Sequence, residues 1–353
     1  MSGGVDSSVA AALLHDQGCD VEGVTLKLTA GLCCDIGSAQ AVCHQLGIMH
    51  RIIDAQAEFA EGIVKDFISE YRQGRTPNPC ITCNDVIKFR LLLDYARSNA
   101  FDFLATGHYS RIVKDQSTSR FLLTKGIDSG KDQSYFLYRL VQEQMQSILF
   151  PLGAMHKEDV RKLARERKLS AAGRPESQEI CFVPDNDYRS FLKERAPETL
   201  RPGDIVMTDG KTVGRHSGVA FFTVGQRRKL GVAAGVRLYV VRVEPKACRV
   251  VVGKLSELRT EEMTVSNPNF IPFDELRAPM NVTVKIRYRS PLVPAAIEPL
   301  GAGRIRVLFD EAVTGVCPGQ AAVFYDGDIV VGGGLIETPQ EMRSIRQRFS
   351  AAG

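Results

Sequence analysis

From residue 5 to about residue 200, apolar positions alternate between the spacing of helices and that of short strands. Residues 9–15 read as helix, 21–28 as strand, 36–46 as helix and 51–54 as a short strand. Strands separated by helices predict a parallel α/β sheet. Asn84 is placed to cap a helix running to about residue 98, and residues 101–106 follow as a strand that ends at Gly107-His108. Open parallel sheets bind ligands beyond the carboxyl ends of their strands, so this pair falls where a ligand is expected.

Beyond about residue 200 the period shortens to that of strands. Asp209-Gly210 and Glu244-Pro245-Lys246-Ala247 carry hairpin-turn residues. Val282/Val284/Ile286/Tyr288, Ile305/Val307/Phe309 and Ala321/Val323/Tyr325 recur at every second position, which predicts a small antiparallel barrel. Three units are expected: an α/β domain over 1–198, a β-rich domain over 199–262 and a β-barrel over 263–345.

The first helix is preceded by a chemically specific string. Ser2-Gly3-Gly4-Val5-Asp6-Ser7-Ser8 runs into Val9-Ala10-Ala11-Ala12-Leu13-Leu14. The glycines allow a tight turn and close approach to an anion, the serines offer hydroxyls, and the helix N-terminus offers N–H groups and a positive dipole end. Together they make a pyrophosphate cradle, distinct from a Walker loop because no Gly-Lys-Ser/Thr ends it. A Gly/Ser turn that only caps a helix is the plainer reading. Asp6 reads equally as a carboxylate facing a metal ion and as a helix-start residue, which would contribute only ~1 kcal/mol to stability.

Cysteines supply the second chemistry. Thr76-Pro77-Asn78-Pro79-Cys80-Ile81-Thr82-Cys83-Asn84 sets a CxxC on a proline-stiffened loop at a helix start, where the thiolate is favoured. Glu176-Ser177-Gln178-Glu179-Ile180-Cys181-Phe182 presents a third candidate. Two distant cysteines that meet can pass sulfur as a persulfide, one thiol delivering and the other resolving it. A zinc site is the alternative for Cys80 and Cys83, with Cys33, Cys34, Cys43 and His44 as possible further ligands. Cys19, Cys248 and Cys317 sit in apolar or turn contexts expected of buried structural thiols.

The stretches SGGVDSS, GRTPNP with the following CN, ATGHYSR, GKDQSYFL, ICFVPD, TVGQRRKLG and KIRYRS span nearly the whole chain. The first resembles the PP-loop of ATP pyrophosphatases, and the full set, in this order, resembles the bacterial tRNA-specific 2-thiouridylase family. That resemblance implies adenylation of the 2-oxygen of the wobble uridine by ATP and sulfur transfer from a cysteine persulfide, giving 2-thiouridine, AMP and pyrophosphate. It implies Cys83 as nucleophile, Cys181 as persulfide carrier, and ATP held by Ser2, Gly3, Gly4, Val5, Asp6, Ser7, Leu26 and Gly107, with Mg2+ offsetting phosphate charge. Asn78 would lie near the target base, and His108, Lys131, Asp132, Gln133, Arg287, Tyr288 and Gln320 would contact tRNA. A sulfur donor protein, a cysteine desulfurase or a relay, is the implied second partner.

Three departures stand out. Leu26 replaces the usual methionine, and the chain opens on the phosphate loop where relatives carry a strand first. Cys80 replaces a common aspartate, so Cys80, Cys83 and Cys181 also resemble the ligand set of related enzymes that hold a [4Fe-4S] cluster.

Composition narrows the rivals. With 44% apolar and 24% charged residues and no apolar run of the ~20 residues a membrane span needs, the chain reads as cytoplasmic, without a signal peptide or membrane partner. Nine cysteines in such a chain read as reduced thiols, metal ligands or catalytic groups rather than as a disulfide framework. Residues 201–353 carry 21 Lys and Arg against 15 Asp and Glu, which suits a polyanionic partner or a solvated basic surface. A small-molecule PP-loop ligase would not need paired cysteines and basic β-domains. A zinc-stabilised RNA-binding module would leave SGGVDSS unused.

Overall fold

The computed structural model describes residues 1–29, 35–174, 180–232 and 235–338. By contacts the chain divides into two compact units: residues 1–64, 79–186 and 328–330 form unit 1, and residues 65–78, 187–327 and 331 onward form unit 2.

Unit 1 is built from α1 (Val5–Asp16), β1 (Glu22–Lys27), α2 (Ile36–Leu46), β2 (Met49–Asp54) and α3 (Gln56–Phe59), the last running into a π-helical turn over Ala60–Val64. α4 (Lys65–Arg72) already belongs to unit 2. The chain re-enters unit 1 as a helical run: α5 (Pro79–Cys83), a π-helical segment Asn84–Phe89, and α6 (Arg90–Ser98). β3 (Leu104–Ala105), β4 (Ser110–Lys114), β5 (Phe121–Lys125), α7 (Gln142–Met145), β6 (Ile148–Leu149) and α8 (Lys157–Glu166) complete it. The expected parallel pairing is present in two ladders, β1–β2 and β3–β6. Val9, Ala10 and Ala12 of α1 pack with Tyr109, Leu152, Val160, Ala164 and Leu169, so α1 and α8 share one core.

Two expectations are corrected. Asn84 does not cap a helix; the helical run begins five residues earlier at Pro79, whose missing N–H and fixed φ suit a first helical turn. Both Cys80 and Cys83 therefore lie on the helix, and Asn84 donates its amide inward to the Phe136 carbonyl at 3.3 Å. The strand expected over 101–106 shrinks to Leu104–Ala105, with Phe103 exposed.

Unit 2 begins with α4, whose Tyr71 stacks on Tyr188 at 5.0 Å, at the start of α9 (Tyr188–Arg195). A four-stranded sheet follows from β7 (Gly203–Met207), β8 (Thr212–His216), β9 (Tyr239–Glu244) and β10 (Arg249–Gly253), in the order β8-β7-β10-β9. The turns at Asp209-Gly210 and Pro245–Ala247 join its antiparallel neighbours. β11 (Arg259–Phe270), β12 (Met280–Lys285), β13 (Val293–Gly301), β14 (Arg304–Thr314), β15 (Ala321–Asp326) and β16 (Ile329–Ile336) form an antiparallel barrel, which closes where β11 pairs with β16. Val282, Val284, Ile286, Ile305, Val307 and Phe309 fill its core as the alternation predicts. On β15 the core is filled by Ala322 and Phe324, while Ala321, Val323 and Tyr325 are buried on the opposite face.

Candidate active site

The phosphate loop is preorganised by its own serines. Ser2 N–H donates to Ser7 Oγ at 3.2 Å, and the Ser7 and Ser8 hydroxyls donate to the Gly4 carbonyl at 3.2 and 2.8 Å. Gly4 occupies the N-cap of α1 with no side-chain cap, which leaves the first-turn N–H groups for an anion. Gly3 holds φ at +77°, and a Cβ there would come within 2.5 Å of the Asp35 carbonyl oxygen. Gly107 has a steric duty as well: a Cβ on it would approach the Asp6 carbonyl carbon to 2.8 Å and the Ser7 nitrogen to 2.9 Å. Its bare Cα lets the end of β3 touch the loop. Leu26 and Val5 are buried beside this region on β1 and α1.

Asp6 has partners that its position in the sequence does not reveal. Lys157 Nζ, 151 residues on, donates to both carboxylate oxygens at 2.6 and 2.8 Å, and Tyr109 Oη donates to Oδ1 at 2.8 Å. The Lys157 side chain is only 7% exposed, against 34% for Asp6. Arg174 also reaches the loop, donating to the Gly3 carbonyl at 3.4 Å and pairing with Asp35, the N-cap of α2. The Ser38 backbone bond, then Arg174, hold the Asp35 carboxyl below its usual range. Lys157 and Arg174 were not foreseen; each lies more than 130 residues from its partner, and such pairs leave no periodic trace in sequence. ATP fits this cradle: the uncapped first turn offers N–H groups, Ser2 and Ser7 offer hydroxyls, and Lys157 and Arg174 reach the loop from other elements. A magnesium ion at the phosphates would be held by the Asp6 carboxylate, whose two oxygens also accept from Lys157.

The thiols sit elsewhere in unit 1. Cys83 is 6% exposed on α5, Cys80 is exposed one turn earlier, and Cys181 is half-buried. Phe182, next to Cys181, is buried edge-on against Phe59 at 5.5 Å, which fixes that end of the segment. Although solvent reaches Cys80, protein encloses it on most sides, and this burial raises its thiol pKa. Lys88 opposes the rise, and the Cys181 sulfur adds to it electrostatically. Lys88 and Cys181 thus both lie within electrostatic reach of Cys80. Lys88 was also not foreseen, and its charge extends to His108. Burial, with Lys88 second, lowers His108 to a pKa of about 3. Its ring lies near Phe89 and Phe150, and Nδ1 shares a hydrogen with the Thr106 hydroxyl at 2.8 Å.

Among the described residues, no group of three or more His, Cys, Asp and Glu side chains is arranged to hold a metal ion. Cys33 and Cys34 lie outside the described residues. Cys43 is fully buried against Gly23, while His44 beside it is exposed, so the two diverge on α2. Of the thiols read as structural, Cys317 is buried, but Cys19 is exposed in the turn after α1.

The remaining candidates separate between units. In unit 1, Gln133 Oε1 accepts from Tyr109 N–H at 3.0 Å. Asp132 is 4% exposed and accepts from Gly126 N–H, Ser134 N–H and the Ser134 hydroxyl. Lys131 is half-exposed beside it. In unit 2, Arg287 is exposed just after β12, Tyr288 lies 5.9 Å from Lys285 Nζ, and Gln320 Nε2 donates to the Thr76 carbonyl at 2.8 Å. Asn78, half-buried, is the last residue of the unit 2 segment before α5.

Residues 1–185 match the tRNA methyl transferase HUP domain, 189–254 the tRNA methyl transferase PRC-barrel domain, and 260–336 the aminomethyltransferase beta-barrel domain. A tRNA-specific 2-thiouridylase MnmA of Acetivibrio thermocellus is 45% identical over 350 residues, covering 96% of this chain and 98% of the relative. Proteins of the same name from Carboxydothermus hydrogenoformans and Clostridioides difficile are 44% and 43% identical, each alignment covering 96% of both chains.

Proposed function

The chain belongs to the tRNA-specific 2-thiouridylase family, and from that premise we infer that it replaces the 2-oxygen of a uridine in tRNA with sulfur. The observation that carries the reading is the presence, in one compact unit, of an ATP-type phosphate loop and three thiols, Cys80 and Cys83 on one short helix and Cys181 within electrostatic reach of Cys80. A methyl donor would need neither the loop nor the thiols, and a small-molecule ligase would not need the thiols.

Uridine O2 is a poor leaving group until it is joined to phosphorus. The wobble base is the substrate position, because anticodon-loop bases are unpaired and reach a recessed site at small cost. The loop N–H groups, with Lys157 and Arg174 nearby, offset charge as O2 bonds to the α-phosphorus and pyrophosphate leaves. Magnesium, when bound, supplies further charge neutralisation at the phosphates. The terminal sulfur of a Cys181 persulfide then attacks C2, and the C2–O bond breaks to release AMP. The Cys83 thiolate attacks the Cys181 sulfur, which leaves 2-thiouridine and a Cys83–Cys181 disulfide. A thiol reductant resets both cysteines, and a sulfur donor protein reloads Cys181. Cys80 is an auxiliary thiol in this relay.

A second reading has one observation in its favour: Cys181 lies within electrostatic reach of Cys80, and Cys80, Cys83 and Cys181 would supply three ligands to an iron–sulfur cluster. Incubation of the protein with ATP, bulk tRNA and a persulfide donor tests the main reading. AMP release that depends on tRNA, with 2-thiouridine in the digested RNA, is the expected result; ATP turnover without thiolated RNA would refute it.

A further inference from the structure

Asn84 follows Cys83 directly and is buried, with 4% of its surface exposed. Its Nδ2 donates to the Phe136 carbonyl at 3.3 Å, while its Oδ1 has no hydrogen-bond partner among the described residues. A buried acceptor without a donor destabilises a fold, and a leucine of similar volume at this place would avoid that cost. The bond to Phe136 is what asparagine supplies here. Asp85, the next residue, repeats the arrangement: its Oδ2 accepts from Arg139 Nη1 at 3.3 Å, and Arg139 Nε donates to the Tyr138 hydroxyl at 3.2 Å. Two successive residues after Cys83 are thus tied to one segment, residues 132–139.

That segment is held firmly. Ser134, Tyr135 and Tyr138 are fully buried, and the Asp132 carboxylate closes the turn by accepting from the Gly126 and Ser134 N–H groups and the Ser134 hydroxyl. Its 3-10 turn, Ser134–Leu137, packs against both the Pro79–Cys83 helix and the π-helical Asn84–Phe89. From Phe136 the bonds continue away from the thiols. Phe136 N–H donates to the Gln133 carbonyl at 2.9 Å, Gln133 N–H donates to the Tyr109 carbonyl at 2.9 Å, and the Tyr109 hydroxyl donates to Asp6 at 2.8 Å. Every residue in this series belongs to unit 1. One buried segment therefore holds the phosphate-loop carboxylate through one end and the residues after Cys83 through the other.

We propose that Asn84 and Asp85 are positioning residues for the Cys83 thiol, and that residues 132–139 are the frame in which it is fixed relative to the phosphate loop. The step they serve rests on the thiouridylase reading, but the ties themselves do not. Loss of the Asn84 tie leaves the Gln133 and Tyr109 bonds to Asp6 in place, so it should slow sulfur transfer and spare adenylation. Asn84→Leu keeps the volume and removes the donor. A shift of about 1 Å at a reacting group costs on the order of 100-fold, so the single-turnover thiolation rate at saturating ATP and tRNA should fall at least about tenfold, with first-turnover pyrophosphate release within about threefold of the parent. A merely destabilised protein would lose both together. An equal fall in the two rates, or no fall in thiolation, overturns the positioning role.

The second measurement needs neither ATP nor RNA. Cys83 is 6% exposed, so iodoacetamide reaches it through local opening, which the loss of one hydrogen bond should make about threefold easier or more. Alkylation of Cys83, read by mass spectrometry of its peptide, should accelerate by that factor in Asn84→Leu. The same is expected of Arg139→Met, which cuts the second tie and serves if the first variant folds poorly, while the exposed Cys19 reacts as in the parent. No acceleration at Cys83 in either variant, or one shared equally by Cys19 in both, overturns the ties whatever the thiolation rate does. An absence of thiolation in the parent protein would instead refute the function and leave the ties to be judged by alkylation alone.

Discussion

Asp6→Ala is the perturbation on which sequence and structure disagree most in magnitude. As a helix-start carboxylate, Asp6 would contribute only ~1 kcal/mol. In the structure it is the counter-ion of Lys157, whose side chain is 7% exposed. It accepts two charged bonds from that lysine and one from Tyr109. Breaking a buried ion pair by removing one partner costs about 3–5 kcal/mol, because the other charge is left uncompensated. Asp6 is 34% exposed, so water will solvate part of the abandoned site and the lower end applies, about 3 kcal/mol. For a unit of roughly 150–250 residues, ~1 kcal/mol shifts Tm by about 2–4 °C, so the transition should drop by about 6–12 °C. ATP-dependent AMP release should be lost as well. Replacing both partners, as Asp6→Asn with Lys157→Met, should recover more than half of the stability but none of the activity. Thermal unfolding by circular dichroism separates the two outcomes. A folded Asp6→Ala protein within about 1 kcal/mol of the parent would show that Lys157 does not depend on Asp6.

Cys83→Ser and Cys181→Ser should each abolish thiolation while leaving tRNA affinity nearly unchanged, since a hydroxyl carries no sulfane sulfur; thiolated RNA from either variant would remove that cysteine from the relay. Cys80→Asp should retain much of the activity, and protein purified without oxygen should hold no stoichiometric iron; brown protein that loses iron and activity together in Cys80→Ala would establish the cluster instead. His108, held near pKa 3 against an ordinary 6.5, binds fewer protons folded than unfolded, so its contribution to stability should be complete above about pH 6.5 and decline as pH falls toward 3. By NMR its ring should stay neutral at pH 5, and a ring titrating near 6.5 would contradict the burial argument.

Local rules made much of this fold legible. The helix over Ile36–Leu46 and the barrel core at Val282, Val284, Ile305 and Val307 follow from period alone. Errors arose where two local rules competed. Asn84 is a good cap by residue type, yet Pro79 is a better first-turn residue, and the helical run absorbs Asn84 through a π-helical segment. Likewise the apolar alternation on β15 does not say which face is core when both are covered. Long-range polar contacts were invisible for a different reason. Lys157 begins α8 as any lysine might begin a helix, and only the packing of α1 on α8 through Val9, Val160 and Ala164 brings it to Asp6.

The same distinction bears on what a motif means. Asp132 and Gln133 belong to a string whose resemblance implies tRNA contact, but their visible bonds point inward. Gln133 accepts from the Tyr109 N–H at 3.0 Å and donates its own N–H to the Tyr109 carbonyl at 2.9 Å. Tyr109 in turn donates to Asp6. Asp132 closes the turn that carries Gln133, bonding Gly126 and Ser134 with both carboxylate oxygens. A bonded chain thus runs from Gln133 through Tyr109 to the phosphate loop, and bonds in such a chain strengthen one another where water is excluded. Loss of the Gln133 amide should therefore act first on Tyr109 and the carboxylate it orients. Its effect belongs to the step that uses ATP as much as to the binding of RNA.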